Sequence, residues 1–226
     1  KLFLKRENGI EYSLDSWNGY FWIHTNKEAK DFKICRCRNE SIDKWEEYVP
    51  AKDEVLIGSF FLLNNWMIRS EIVDALPRLL VRNLKTNVEE ELIISEEKVI
   101  SPGINLMQKD RNTDVLRIGY DSPKTPSRVY EYNIVTKEKK LVKELQIPSG
   151  YNRDDYVVTR INCDGHDGRK IPLTITHHKK TKLDGSAHLL LYGYGSYGYS
   201  VSSSFSSNRL SLVDRNIIWA TAHIRG

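Results

Sequence analysis

Residues 188–198 are His-Leu-Leu-Leu-Tyr-Gly-Tyr-Gly-Ser-Tyr-Gly. The apolar start of this stretch is typical of a buried strand that is covered on both faces. The glycines end the strand abruptly, and glycine lets backbone and side chains come close to a ligand or a reacting atom. We therefore expect the candidate site in the loop that follows this strand.

The composition is that of an ordinary globular protein, with 40% hydrophobic and 28% charged residues in a chain of 226. Five Trp and twelve Tyr favour aromatic-rich β structure. The net charge of +4 is spread along the chain, so we expect no nucleic-acid partner. No apolar run reaches the length of about 18 residues that a membrane helix needs, and no signal peptide is evident.

The three cysteines do not predict a disulfide framework. Cys35 and Cys37 lie two positions apart, so on a strand both side chains point to the same face. The Cys-x-Cys pattern lacks the second pair of ligands that a zinc site needs. We interpret these cysteines as reduced packing residues of a cytoplasmic protein, and we predict no metal and no cofactor.

Three β-rich units repeat along residues 1–147. They begin at residues 21, 66 and 116, which are 45 and 50 positions apart. Such a period is typical of β-propeller blades, with a β-sandwich as the alternative. Three units do not close a propeller of about four to eight blades, so the repeat also predicts a missing N-terminal portion. The three runs of each unit are 21–25, 32–37 and 45–49; 66–70, 77–84 and 91–94; and 116–120, 128–134 and 140–145.

The composition changes after residues 148–150, which we interpret as a linker. A hairpin is predicted next, and a proline in its second strand, Pro172, suggests that this strand lies at a sheet edge. Two apolar strands follow, and one helix between them carries Leu210 and Val213 on its inner side. An antiparallel hairpin that leads into such strands is how many α/β sheets begin. The predicted elements are strands 155–163, 170–177, 189–191 and 217–222 and a helix within 204–215.

The glycine-rich loop matches a dinucleotide-binding pattern in spacing but not in context. Gly193, Gly195 and Gly198 fit G-x-G-x-x-G, and Asp214 lies downstream at about the distance of a ribose-binding acid. The Ser-rich residues 199–204 are poor helix formers, although the helix must begin within the glycine motif. Asp214 also precedes the next strand instead of following it. A nucleotide site is therefore disfavoured.

The same loop resembles the nucleophile motif G-x-S-x-G only in part. Ser196 has Gly198 two residues after it but Tyr194 two residues before it, so the serine is not predicted to be a nucleophile. The loop also suits the oxyanion-hole loop that follows the third strand of an α/β-hydrolase sheet. In that case Tyr194 and Tyr197 supply phenol hydroxyls that stabilise a developing oxyanion. From the residues alone, it stays open whether these tyrosines act in this way or only pack.

Long ordered motifs occur along the chain besides this loop. Together they resemble the prolyl oligopeptidase family, and within it most of all the oligopeptidase B (protease II) group, over essentially the whole chain. The motifs are residues 11–15, 120–126, 129–132, 150–152, 167–172, 190–198, 205–215 and 222–226.

The resemblance implies a serine peptidase in which a seven-bladed β-propeller caps an α/β-hydrolase domain. Residues 1–147 would form about three C-terminal blades of the propeller, and residues 148–226 the incomplete start of the hydrolase domain. Family members cut short peptides, and members like oligopeptidase B cut after Lys or Arg. By the same resemblance, Tyr194 would donate its hydroxyl to the oxyanion and Tyr197 would line the S1 pocket.

The resemblance places the catalytic Ser, Asp and His downstream of Gly226, and none of the six histidines occupies the catalytic position. We therefore expect an internal fragment that is inactive alone but belongs to a peptidase acting on short peptides. The alternative is a non-catalytic β-propeller interaction module from a split or truncated gene. Open sheet edges predict that the fragment self-associates, and we expect no membrane partner.

Overall fold

The structure is a computed structural model that describes residues 3–104 and 110–225. Lys1 and the Gly226 that ends motif 222–226 lie outside these residues. The chain forms two compact units. In the described part of the chain sixteen strands form four sheets of four. No helix in that part has the length and apolar character needed to span a membrane.

The first unit contains the first two sheets, apart from residues 75–77. Both are meanders in which strands pair in chain order. Asn18 and Gly19, with φ of 51° and 78°, provide the left-handed conformations of a tight two-residue hairpin turn. The strands are β1 (Tyr12–Trp17), β2 (Tyr20–Thr25), β3 (Lys33–Arg38), β4 (Glu46–Val49), β5 (Val55–Leu63), β6 (Trp66–Val73), β7 (Leu76–Asn83) and β8 (Glu89–Glu91).

The core of this unit lies between the two sheets. Because side chains alternate along a strand, Ile23, Cys35 and Cys37 point to the other face of the first sheet, where they form a separate cluster. Both cysteines are free thiols, 4% and 2% exposed, and burial raises their pKa values. Their predicted packing role is confirmed. The core between the sheets consists of Trp22, Ile34, Val49, Ile57, Leu62 and Met67.

A buried ion-pair network joins three strands of the second sheet. Arg69 of β6 and Glu71 are each 1% exposed, and Arg69 Nη2 donates to Glu71 Oε1 at 2.7 Å. Arg69 also donates to Glu89 of β8, and these hydrogen bonds hold the pKa of Glu89 below its usual value. The second oxygen of Glu71 accepts from Arg78 Nη2 at 2.7 Å. The burial of Glu71 is thus compensated by two guanidinium groups.

The third sheet lies in the second unit and is again a meander. Glu97, in the segment before this sheet, accepts hydrogen bonds from the hydroxyls of Tyr120 (2.5 Å), Ser122 (2.6 Å) and Thr125 (2.6 Å). Burial alone would raise the pKa of Glu97, but the three hydroxyl donors outweigh it and lower the pKa. The strands are β9 (Ser101–Ile104), β10 (Val115–Ser122), β11 (Thr125–Asn133) and β12 (Lys139–Glu144).

The three predicted units correspond to the second, third and fourth strands of these sheets. The sequence patterns did not predict the first strand of each of these sheets. Polar residues dilute the apolar pattern in β1, and Pro102 and Gly103 do so in β9. The predicted run 91–94 is wrong in its position, because β8 is Glu89–Glu91. Leu92 and Ile94 are buried, but they lie beyond the end of the strand.

The fourth sheet, also in the second unit, differs from the meanders because it contains a parallel pair. Its order is β13-β14-β16-β15, with only β15 and β16 parallel. The helix α1 connects these two strands and buries Leu210 (4% exposed) and Val213 (0%), as predicted. The elements are β13 (Tyr156–Asp164), β14 (Lys170–His178), β15 (Leu189–Gly193), α1 (Ser207–Val213) and β16 (Ile218–Ala222).

Two predictions for this sheet are wrong. Leu189 and Leu191 of β15 are 56% and 61% exposed, because β15 is the outermost strand among the described residues and α1 packs on β14 and β16 instead. The second hairpin strand, β14, is not an edge strand, since it lies between β13 and β16. Pro172 is tolerated because the β14–β16 register ends at Leu173, and the Pro172 carbonyl still accepts from His223 N at 2.9 Å.

Removing the cation at the centre of the buried network is expected to destabilise the first unit. In Arg69→Met, Glu71 keeps only its bond to Arg78, and we expect the free energy of unfolding to fall by about 3–5 kcal/mol. The matched control is Arg117→Met, which breaks the exposed pair with Glu131 and should cost about 0–1 kcal/mol. Urea unfolding measures both; equal losses would contradict the assignment.

The hydroxyl-bound carboxylate of Glu97 predicts a dependence of stability on acid pH. Its pKa in the folded chain lies below the ordinary value of 4.5, so the carboxylate stabilises the fold above that pH and loses this effect as the pH falls. Glu97→Gln should therefore lower the unfolding midpoint at pH 7 and flatten its decrease below pH 4.5. The exposed neighbour Glu96 is the control, and Glu96→Gln should keep the wild-type pH profile.

Candidate active-site loop

The parallel pair β15–β16 determines where the glycine-tyrosine loop lies. Carboxyl ends of parallel strands meet at the same edge of a sheet, so residues 194–206 after β15 lie beside residues 223–225 after β16. The last pair in the register is Gly193 with Ala222. The loop thus leaves the sheet next to the segment that follows β16.

Gly195 allows a close approach of the loop to this segment. A Cβ atom at residue 195 would lie 2.2 Å from the carbonyl oxygen of Arg225, whereas one at Gly193 would lie 3.4 Å from that of Ala222. Arg225 is held in turn by Asp167, whose Oδ2 lies 2.6 Å from the guanidinium and whose pKa is lowered by this hydrogen bond. The glycine therefore makes room for another part of the chain, not for a phosphate.

The two candidate tyrosines are exposed. Tyr197 lies in a 3-10 turn, Ser196–Gly198, with φ of 59°, and is 99% exposed. A left-handed conformation at an aromatic residue is uncommon and costs about 1–2 kcal/mol. Tyr194 is 41% exposed, and its ring centroid lies 6.2 Å from that of Tyr199. No described residue forms a hydrogen bond with the hydroxyl of Tyr194 or Tyr197. Because its side chain is almost fully exposed, packing against the described residues does not account for Tyr197.

His223 anchors the later part of the loop. The imidazole is 4% exposed, and Nδ1 lies 2.6 Å from the carbonyl oxygen of Val201. A carbonyl only accepts, so Nδ1 carries the proton. Nε2 lies 2.8 Å from Thr174 Oγ1 and 3.2 Å from Ser203 Oγ, and in the neutral ring it accepts from these hydroxyls. His223 is thus a hydrogen-bonded histidine near the core, and the sequence alone did not reveal its partners.

The contact between Ser203 and His223 does not have the setting of a catalytic pair. A nucleophilic serine must reach a substrate, but Ser203 is 6% exposed and its histidine 4%. Ser203 Oγ also shares Nε2 with the buried Thr174. The pair therefore stabilises the loop.

Motif 120–126 holds the end of the loop. Asp121 Oδ1 accepts from the backbone N–H of Phe205 at 3.4 Å, and burial raises the pKa of this carboxyl. The Tyr151 hydroxyl donates to the carbonyl of Lys124 in the same motif. Asp214, the residue at ribose-binding distance in the sequence, accepts from the Tyr156 hydroxyl at 2.8 Å. Its role is therefore structural, and α1 begins at Ser207, well after the glycines.

The sequence matches a known family over most of its length. Residues 1–145 match the prolyl oligopeptidase N-terminal β-propeller domain. The chain belongs to the prolyl oligopeptidase family. The three meander sheets therefore belong to a β-propeller, and the β-sandwich alternative is wrong. No group of three or more His, Cys, Asp or Glu side chains suited to a metal ion occurs within residues 3–104 and 110–225.

Relatives of this chain are peptidases. Dipeptidyl aminopeptidase BI of Pseudoxanthomonas mexicana is 35% identical over 225 residues, and Protease 2 of Moraxella lacunata is 26% identical over 222 residues. Each alignment covers 98% of this chain, but only 31% and 32% of the relative. Oligopeptidase B of Trypanosoma brucei, solved with covalently bound antipain, is 28% identical with a TM-score of 0.91 over 99% of this chain and 33% of that one. The chain thus spans about a third of the length of these relatives.

Filling the space at Gly195 is expected to displace the loop. In Gly195→Ala the new methyl group overlaps the Arg225 carbonyl, and overpacking of this kind costs about 1–3 kcal/mol. Gly193→Ala is the matched control, because its methyl group finds an ordinary contact distance. Chymotryptic cleavage after Tyr197 should be faster in Gly195→Ala only. Equal rates in the two variants would contradict the close approach.

Proposed function

We propose that the protein carrying this chain is a serine-type oligopeptidase that hydrolyses short peptides. Family membership and the peptidase relatives support a peptidase. The oligopeptidase B of Trypanosoma brucei carries covalently bound antipain, and covalent capture agrees with a nucleophilic mechanism in that relative. The observation that supports the proposal most is the loop at the carboxyl end of β15. This loop is held against the segment after β16, and the hydroxyl of Tyr194 in it makes no hydrogen bond to a described residue.

In this proposal residues 148–226 begin an α/β-hydrolase domain, and residues 1–147 belong to the propeller. The fourth sheet supports the boundary, because it is the sheet with a parallel pair and a connecting helix. The exposed outer side of β15 suits pairing with a further strand of a larger sheet. The match to the propeller family also ends at residue 145, close to the proposed boundary.

Tyr194 takes the role of an oxyanion donor. Attack of a nucleophile on a peptide carbonyl places a negative charge on the carbonyl oxygen, and a donor that is fixed before the reaction stabilises this charge. The hydroxyl of Tyr194 makes no hydrogen bond to a described residue, so it has no competing partner among them. The chain on both sides of Tyr194 is held, at Gly193 by β16 and at Gly195 by Arg225.

Tyr197 takes the role of a wall of the S1 pocket. Its exposed ring, held in a left-handed conformation, presents apolar surface beside Tyr194 in the sequence. A flat aromatic face also suits the stem and the cationic end of a Lys or Arg side chain. We therefore assign to the enzyme a specificity for cleavage after Lys or Arg. The nucleophile is assigned to a segment outside residues 1–226, because Ser203 is buried and Ser196 lacks the nucleophile motif.

Removing the Tyr194 hydroxyl tests this function. In the full-length protein, Tyr194→Phe should lower kcat about 10²–10³-fold with a smaller change in KM, because the lost donor acts in the transition state. Tyr199→Phe is the matched control, since it removes a neighbouring phenol hydroxyl to which no catalytic role is assigned. An active enzyme whose kcat is unchanged by Tyr194→Phe would refute the oxyanion assignment, and a folded full-length protein without peptidase activity would refute the proposed function.

A further inference from the structure

We propose that His223 is a positioning residue for Tyr194. Its side chain ties the second arm of the glycine-tyrosine loop, residues 199–205, to the end of β16, beside the place where the backbone on either side of His223 contacts the first arm, residues 193–195. The catalytic part of this inference rests on the proposed function. The anchoring part does not, because it concerns the hydrogen bonds of the folded chain. His223 does not take part in the chemical step and acts only through the loop.

The first arm of the loop is fixed by the backbone next to His223. Gly193 pairs with Ala222, the residue before His223. Gly195 lies against the carbonyl of Arg225, two residues after His223. Tyr194 therefore stands between two glycines that both contact the segment 222–225.

The second arm is fixed by the side chain of His223. Nδ1 donates to the carbonyl of Val201 at 2.6 Å, and Ser203 Oγ lies 3.2 Å from Nε2. Thr174 of β14, which is 1% exposed, lies 2.8 Å from the same nitrogen and connects the ring to the interior of the sheet. One imidazole thus links two residues of the loop to two adjacent strands.

The residue that His223 binds lies close in the chain to a tyrosine whose ring is near that of Tyr194. Val201 is two residues from Tyr199, whose ring centroid lies 6.2 Å from that of Tyr194. If the hydrogen bond from His223 to Val201 is lost, the second arm is still held by the hydrogen bond from Phe205 N–H to Asp121. The support that lies closer to Tyr199 is then absent. The expected result is a loop that still folds but places Tyr194 less well.

Kinetics of the full-length enzyme test the positioning role. His223→Phe keeps an aromatic ring in the buried site but removes both nitrogens, and kcat should fall about tenfold or more with little change in KM. His223→Asn retains a donor near the position of Nδ1 and should recover part of this loss. In a Tyr194→Phe background, His223→Phe should cause little further loss of kcat, because the group that it positions is already absent. Independent, multiplicative losses would overturn the inference.

A second measurement tests the anchor without any activity. Chymotrypsin should cleave the loop after Tyr194, Tyr197 or Tyr199 faster in His223→Phe at a temperature where circular dichroism shows an intact fold. Unchanged cleavage in a folded variant would overturn the anchor, even if the proposed function is correct. Conversely, faster cleavage in a protein whose kcat does not respond to Tyr194→Phe would support the anchor and refute the oxyanion role.

A milder variant covers the case in which His223→Phe does not fold. Ser203→Ala removes only the loop-side hydroxyl at Nε2 and should speed cleavage to a smaller extent. Ser202→Ala is its matched control, since no hydrogen bond joins this adjacent serine to His223 among the described residues. If the Ser203 and Ser202 variants are cleaved at the same rate as the parent, the hydrogen bonds do not hold the loop, and the inference fails.

Discussion

The parallel pairing of β15 and β16 is the constraint on which the candidate site depends. It brings two chain segments, which α1 separates in the sequence, to the same edge of the fourth sheet. Once they meet there, only glycine fits at residue 195, because the Arg225 carbonyl occupies the place of a side chain. The same meeting places His223 beside the loop that it binds. Packing between neighbouring segments therefore accounts for the central glycine of the pattern, whereas Gly198 has a positive φ of 71° and Gly193 has room for a methyl group.

Motif 120–126 illustrates how one polar segment serves several structural contacts in the second unit. Its three hydroxyl groups all donate to Glu97, while the Asp121 carboxyl accepts from Phe205 and the Lys124 carbonyl accepts from Tyr151. Each of these groups is at least partly buried, and an unsatisfied polar group there would cost about 1–3 kcal/mol. The residues that carried the family resemblance in this motif therefore hold the third sheet against the fourth, and they need no direct part in chemistry.

The sequence predicted what local patterns determine. Alternating and apolar runs predicted eight strands of the meanders in approximate position and misplaced β8, and helical spacing predicted that Leu210 and Val213 are buried. It did not predict contacts between residues distant in the chain. The exposure of Leu191 depends on β15 being outermost, and the tolerance of Pro172 depends on where the pairing with β16 ends. The partners of His223 are likewise brought together only by the fold, so a histidine near the end of a strand gave no signal of them.

A catalytic donor on a loop needs rigidity that the loop does not supply by itself. An oxyanion donor is effective because its orientation is fixed before the substrate binds, so the free energy of fixing it is supplied by folding. The groups that hold the loop here are the close contact at Gly195, the buried imidazole of His223 and the ion pair of Arg225 with Asp167. Among the described residues none of them is hydrogen-bonded to the hydroxyl of Tyr194 or Tyr197. Tyr194 and Tyr197 thus stay exposed while neighbouring residues of their loop are held. Under the proposed function, substitutions in these supporting groups should therefore change the rate of reaction more than the binding of substrate.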